Sequence, residues 1–191
     1  MAFLLPGLLL FFAAHLVPTL PGLRGSLIAR LGEAPYKLAF SLCAAAGLVM
    51  IVFGVSIFRG SAADIQIWTP PLWSRHLVFA LMAPAFVLLA AAYIPSRLRD
   101  WAGHPMLLAI ILWATAHLLA NGDRLALLLF GSFLLFALFD RWSVAHRAPA
   151  RRPAATGWTG DAAALVVGLA CWAAVLFWLH ASAGAPLLAA R

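Results

Sequence analysis

Acidic residues are few in this chain, and their scarcity narrows the functions it can have. The 191 residues include 6 Asp and Glu against 13 Lys and Arg, and charged residues make up only 10% of the chain. No apolar run holds the paired acids or the series of charges that a proton or ion path across a membrane requires. The sequence therefore gives no support to an ion pump or ion-coupled transporter.

Cysteines are also few. Cys43 and Cys171 both lie inside apolar runs, where a free thiol behaves as a small buried hydrophobe. This pattern predicts neither a disulfide framework nor a thiolate metal cluster. The sequence also lacks a glycine-rich phosphate-binding loop and a serine or cysteine nucleophile motif. No catalytic residue can be assigned from the sequence.

Apolar residues, in contrast, dominate the composition. The chain is 65% hydrophobic with a mean hydropathy of +0.99, more than one soluble core can bury. Crossing a bilayer takes about 20 apolar residues in a helix. The runs predict an all-α, polytopic integral membrane helix bundle in one domain, residues 1–191, with about six transmembrane helices. The spans are placed roughly at residues 3–20, 38–58, 77–94, 105–120, 125–139 and 161–179.

Basic residues fall almost wholly between these runs, so their role is to orient the chain in the lipid bilayer, and no nucleic acid is expected as a partner. The connections after spans one, three and five hold nine of the 13 Lys and Arg residues. Cytoplasmic loops carry the excess of positive charge, which predicts both termini on the non-cytoplasmic side. Residues 24–37 and 95–104 are predicted as loops, and residues 121–124 as a tight turn.

The fourth span contains the strongest candidate for function, His117. An ionisable group is expensive to keep within the hydrocarbon layer, so it indicates a functional site. On a helix, His117 shares a stripe with Met106, Ile110, Trp113 and Asn121, and alanines lower the bulk around it. We expect this face to offer a ligand, an aromatic wall and room for a flat ring.

A second ligand has to come from another helix. His104 lies about 140° around the helix from His117 and roughly 20 Å along its axis, so it is predicted to begin the fourth span. His15 is the other histidine well inside a span, and two buried imidazoles fit haem b better than zinc. A pair of His15 and His104 at more similar depth is a rival. Alternatively His117 only packs, with its ring bonded to a backbone carbonyl, Thr115 or Asn121.

Several motifs together resemble the NnrU family of bacterial membrane proteins. They are HP at 104–105, LWATAHLLANGD at 112–123, LLLFGSFLLFALFDR at 127–141, His15, LR at 23–24 and GEAPYK at 32–37. The resemblance covers most of the chain. It implies a multi-pass protein of the bacterial inner membrane that is linked to denitrification, that is, to nitrite and nitric oxide reduction. Denitrification enzymes or a hydrophobic small molecule are the partners it implies.

The NnrU family is similar in turn to the 15-cis-zeta-carotene isomerases, which are membrane proteins with haem b. The similarity implies that His15 and His117 are the haem ligands and that Trp113 and Asn121 lie at the cofactor site. Two isomerase residues are missing: its cysteine before the AH motif is matched by Ala114, and a further histidine falls near residues 58–59.

Three hypotheses follow for the function. The first is a haem b protein with a redox or nitric-oxide-responsive role. The second is a haem-dependent isomerase acting on a carotenoid or other polyene, so that enzyme activity rests on the resemblance alone. The third is a cofactor-free membrane assembly or transport factor.

Overall fold

The computed structural model describes residues 1–146 and 157–179, and the secondary structure there is almost wholly helical. The all-α membrane class is therefore confirmed. The helices are α1 (Leu4–Leu16), α2 (Pro21–Leu31), α3 (Glu33–Phe58), α4 (Ser74–Tyr93), α5 (Arg97–Ala102), α6 (Pro105–Ala120), α7 (Arg124–Ala145) and α8 (Trp158–Ala174). A 3-10 turn follows α1 at Val17–Thr19, and a π-helical turn follows α8 at Val175–Leu179.

Each of the six predicted spans coincides with a helix. Four of these helices are long and apolar enough to cross a membrane: α3, α4, α7 and α8 with its π-helical turn. The α1 and α2 helices meet the same test only as a pair bent by 96°, and α6 has 16 residues, fewer than a usual span. Six passes therefore stay a prediction. The termini stay a prediction too, and four arginines that enter the charge count, Arg147, Arg151, Arg152 and Arg191, lie outside the described residues.

The chain divides into two compact units. One contains α1, α2, α3 and α7, and the other contains α4, α5, α6 and α8. We refer to them as the first and the second unit and describe each by itself.

In the first unit, α1 and α3 pack backbone to backbone through glycines. A Cβ atom added at Gly54 would lie 2.5 Å from the Leu4 nitrogen, and one added at Gly7 would lie 2.8 Å from the Ile51 nitrogen. Gly47 makes an equally close approach to Phe11. Such contacts between small residues are a common basis of helix association in membranes. Gly47 and Gly54 are seven residues apart in the second predicted span, a spacing that favours such a groove for helix packing.

The start of α7 is fixed by the segment that follows α3. Asp123 is the N-cap residue, and its carboxylate accepts a hydrogen bond from the Ala126 N–H at 2.7 Å. Asp64 accepts a second one from the Leu125 N–H at 2.9 Å. Two carboxylates thus meet the free N–H groups and the positive dipole end of the helix. The predicted tight turn at residues 121–124 is instead a three-residue connection, in which Asp123 forms an isolated bridge with Gln66, and Arg124 already belongs to α7.

Two predicted loops are in fact helical over most of their length. In residues 24–37, α2 (Pro21–Leu31) is followed after Gly32 by the start of α3 at Glu33, and in residues 95–104, residues 97–102 form α5. The α2 helix starts with Pro21, which suits the first turn of a helix because its missing N–H is not needed there. The α5 helix starts after Ser96, whose hydroxyl accepts a hydrogen bond from the Arg99 N–H. Both corrections concern segments too polar to be identified as membrane spans by hydropathy.

In the second unit, α4 packs against both α6 and α8. Gly168 of α8 lies against the backbone of α4, since a Cβ atom there would be 2.5 Å from the Val87 Cα. The α4 helix continues through Pro84, which the sequence predicts as a possible kink.

Asp161 of α8 binds the start of α5. Its carboxylate accepts hydrogen bonds from the Arg97 N–H at 2.8 Å and the Leu98 N–H at 3.2 Å, and it pairs with the Arg97 side chain at 2.6 Å. The same guanidinium lies 3.7 Å from the centre of the Trp158 ring. These contacts tie α5 to α8.

We expect Asp161→Asn to lower the thermal midpoint of the protein by a few degrees. The amide retains one acceptor but loses the charge that strengthens all three bonds. Glu33→Gln is the matched control, because the Glu33 and Lys37 side chains are both 65% exposed and such pairs add little stability. Thermal unfolding of both variants in the same detergent measures the effect. Equal midpoints for the two variants would contradict the role of Asp161.

Candidate functional site

His15 lies near the end of α1, among aromatic rings of the first unit. Its ring stacks on Phe11 with 4.1 Å between centroids, and Phe40 and Phe136 meet it edge-on at 5.2 and 6.1 Å. The ring is half-buried, and Nδ1 lies 2.7 Å from the Phe11 carbonyl oxygen. No other hydrogen bond to this ring is found in the part of the chain that the structure describes. Phe40 belongs to α3 and Phe136 to α7. Because they lie on other helices, no regular spacing from His15 in the sequence indicates these contacts.

His117 lies on the last turn of α6, in the second unit. It too is half-buried, and its Nδ1 lies 2.8 Å from the Trp113 carbonyl oxygen one turn earlier. The Trp113 and His117 rings are 5.2 Å apart between centroids and inclined by 53°. Trp113 therefore stands beside His117 as the stripe predicts. The alternative in which His117 only packs also predicts a hydrogen bond from the ring to a backbone carbonyl, and the Trp113 carbonyl accepts such a bond.

The two carbonyl contacts fix the tautomer of both histidines. A carbonyl oxygen can only accept, so Nδ1 carries the proton in each ring and the lone pair is on Nε2. Histidines that bind metals commonly donate their second ring N–H to a backbone carbonyl or carboxylate in this way, which orients the ring. The Nδ1 contacts of His15 and His117 with the Phe11 and Trp113 carbonyls are of this kind.

His146 shows how far this local geometry can be used. At the end of α7 its Nδ1 lies 2.8 Å from the Trp142 carbonyl, and the two rings are 4.8 Å apart. This ring is exposed and follows the apolar part of its helix. A bond to the carbonyl four residues earlier is therefore a general property of helical histidine. What sets His15 and His117 apart is that they make it within apolar segments.

A small apolar cavity lies one turn before His117, between α4 and α6. Its volume is about 200 Å³, and it is lined by Met82, Ala85, Phe86, Leu89, Ala109, Ile110 and Trp113. Ile110 and Trp113 belong to the predicted stripe. Pockets for drug-sized ligands are larger, from about 300 Å³ upward. The described part of the second unit thus offers apolar room beside Trp113 without enclosing a large planar cofactor.

His104 and Asn121 lie at opposite ends of α6. His104 directly precedes the helix and accepts a hydrogen bond from the Leu108 N–H through its carbonyl oxygen. The prediction that it begins this helix is confirmed. Asn121 follows the last residue of α6 and belongs to the first unit. His117 and Trp113 belong to the second unit, and His15 belongs to the first.

Clusters of protein ligands are not found at either histidine. Within residues 1–146 and 157–179, no three His, Cys, Asp or Glu side chains come together in a group able to hold a metal ion. At His15 and His117 the described residues thus offer a metal one imidazole each, and each ring is oriented by a carbonyl of its own helix.

Comparison with known proteins places the chain in a family. A family model described as NnrU protein matches residues 3–186, nearly the whole chain. The chain belongs to the NnrU family. No curated protein and no solved structure matches it.

The structure separates the residues of the NnrU-like motif LWATAHLLANGD by role. Asp123 caps α7, and Gly122 packs so closely that a Cβ atom would overlap the Trp68 carbonyl oxygen. Ala114 and Ala116 are fully buried within the second unit. These four residues have structural reasons for their identity. Trp113 and His117 are only half-buried, and they are the motif residues whose side chains could serve a ligand.

Proposed function

We propose that this NnrU-family protein binds haem b in the membrane, with His15 and His117 as the residues that would hold it, and acts in nitrogen-oxide metabolism as a redox or nitric-oxide-responsive component. The observation that carries the proposal is that both rings lie half-buried within apolar segments, each oriented by a hydrogen bond from Nδ1–H to the backbone carbonyl four residues earlier. Nε2 is then the nitrogen through which each ring would bind iron. Neutral imidazole is a standard axial ligand of haem iron.

A bound haem would supply an iron centre that changes oxidation state and binds nitric oxide. The protein residues supply binding and orientation. The Phe11 and Trp113 carbonyls hold each imidazole in one tautomer and one rotamer, as second-shell partners do at other metal sites. Phe11, Phe40 and Phe136 surround His15 with aromatic surface, which limits the access of water and lowers the local dielectric.

An isomerase acting on a polyene is the second candidate; the cavity beside Trp113 has the apolar character that it requires, and its volume of about 200 Å³ would hold only part of a carotenoid. Its lining is wholly apolar side chains and the Trp113 ring, which suits a hydrocarbon rather than a polar substrate. Co-expression with a carotenoid pathway tests this candidate, because activity requires a changed isomer composition. An unchanged composition rejects it and leaves the haem proposal standing.

The experiment that tests haem binding is an absorption spectrum of the full-length protein, purified in mild detergent from haem-replete cells. We expect a Soret band, sharper α and β bands after dithionite, and a pyridine haemochrome spectrum of b type. About one haem per chain is expected, because one haem would use both histidines. A folded, monodisperse protein without colour would overturn the proposal.

A further inference from the structure

The α2 helix differs from every other long helix of the described chain. It contains two arginines and no acidic residue, and none of its 11 residues is buried. It turns away from the apolar α1 helix by 96° after the 3-10 turn at residues 17–19. If α1 enters the bilayer, a helix at this angle runs along the membrane surface.

Leucines form a stripe along one side of α2. At 100° per residue, Leu23 and Leu31 lie about 40° to either side of Leu27. Leu23 is 45% exposed and Leu31 is 52% exposed, while Leu27 between them is half-buried, so the protein covers the middle of this stripe and leaves its two ends open. The opposite side carries small residues, Gly22, Gly25 and Ala29. The helix thus has one apolar and one small, less apolar side.

Arg24 and Arg30 flank the leucine stripe. By the same geometry they lie about 60° to either side of Leu27. Arginine side chains in such positions place their stems along apolar surface and their guanidinium groups at the phosphates of a membrane. Arg24 is also held 5.9 Å from the Tyr36 ring centre.

The charges near α2 leave these two arginines available to an anion. The one acidic residue within residues 21–37 is Glu33, and it pairs with Lys37 at 2.8 Å. No described carboxylate pairs with Arg24 or Arg30. The corner of the first unit therefore has a positive charge beside an exposed apolar stripe.

We propose that α2 lies in the interface of the bilayer, with its leucine stripe toward the acyl chains and Arg24 and Arg30 bound to the headgroups of anionic phospholipids. A leucine-lined helix with basic residues at its edges is the type that binds membranes in this orientation. This proposal does not depend on haem. It gives the protein a lipid-specific surface at the end of the helix that carries His15.

Spin labels on the full-length protein test the orientation. In a background with Cys43→Ala and Cys171→Ala, Leu27→Cys and Ala29→Cys place labels on opposite sides of α2. Leu42→Cys, on an exposed position of α3, gives the signal of a lipid-facing site. In bilayers of phosphatidylcholine with phosphatidylglycerol, we expect the Leu27 label to collide with oxygen and the Ala29 label with a water-soluble nickel chelate. If both labels collide mainly with oxygen, α2 lies within the bilayer as part of a broken span. If both collide mainly with the nickel chelate, α2 lies in water. Either result overturns the proposal.

Lipid binding tests the headgroup contact separately. The double variant Arg24→Gln with Arg30→Gln is expected to retain phosphatidylglycerol about 10-fold less well than the wild type in native mass spectrometry, since each arginine adds an independent charge contact. Arg24→Lys with Arg30→Lys should retain it, which shows that the loss is not one of folding. Arg59→Gln, outside α2, is the control. Equal retention by the glutamine double variant would refute the contact with anionic headgroups.

Discussion

Gly122→Ala is expected to prevent the first unit from forming its native structure. The new Cβ atom would overlap the Trp68 carbonyl oxygen. That oxygen belongs to a backbone segment that cannot shift easily, because the Ile67 and Trp68 N–H groups donate to the Gly122 carbonyl at 2.7 and 3.1 Å. Relief of the overlap breaks these bonds and moves the start of α7. Overpacking costs typically about 1–3 kcal/mol where side chains can adjust, and we expect more here because both partners are backbone.

The measurement is the yield of monodisperse protein in detergent, followed by thermal unfolding. Gly131→Ala is the matched control, because Gly131 lies within α7 and a Cβ atom there meets nothing within 4 Å. Alanine in place of an interior helical glycine adds up to about 1 kcal/mol of helix propensity, so this variant should be as stable as the wild type or more so. A Gly122→Ala protein with wild-type yield and midpoint would show that the turn can relax.

Replacement of either proposed ligand is expected to remove haem from the protein. His117→Ala and His15→Ala should each lower the ratio of haem to protein at least about 10-fold, since loss of a ligand costs no less than loss of its second-shell partner. The ratio of Soret to protein absorbance measures this. His146→Ala is the matched control, because His146 makes the same carbonyl bond beside a tryptophan on an exposed turn.

Glutamine variants separate ligation from packing. His117→Gln and His15→Gln keep a side chain that donates hydrogen bonds. If the histidine only packs, these variants should have the wild-type yield and thermal midpoint that the alanine variants lose. As a ligand, Gln is a poor substitute for imidazole, and the haem ratio should stay low in a folded protein. A wild-type ratio of haem to protein in both His15→Gln and His117→Gln would reject these histidines as ligands. A low ratio in His146→Gln as well would show that the ratio reports loss of folding and not loss of a ligand.

The helices that fill the apolar runs were predictable from the sequence because a long apolar run identifies them. The segment from residue 38 to Phe58 contains no charged residue, and it forms most of α3. Hydropathy works here because a helix that faces lipid needs no polar side. The close packing at Gly47 and Gly54 was also readable, since only small residues allow such an approach.

The two short polar helices were not predictable by the same argument. In α2, Gly22, Gly25 and two arginines resemble a loop in composition, and the helix is visible only in the spacing of Leu23, Leu27 and Leu31. The α5 helix is fixed by Asp161, 64 residues later. A contact across such a distance in the chain leaves no local pattern.

The candidate site was predictable in its helical part and not beyond it. Trp113 and His117 are four residues apart, so their contact follows from the helix period. The rings of Phe40 and Phe136 around His15 come from other helices, and their approach depends on the packing of the whole first unit. The cavity wall from Met82, Phe86 and Leu89 depends on α4 in the same way.

The first unit is discontinuous in the chain, and this has a consequence for the order of synthesis. Asp64 binds the start of α7 through Leu125, 61 residues later, and all of α4, α5 and α6 is made in between. At about 5–20 residues per second, translation of that interval takes roughly 3–12 s. During this interval the Asp64 carboxylate and the Phe11 and Phe40 rings near His15 have been made, but α7 has not. We therefore expect the insertion machinery or the surrounding lipid to cover the newly made N-terminal helices until residues 121–147, the second segment of the first unit, leave the ribosome.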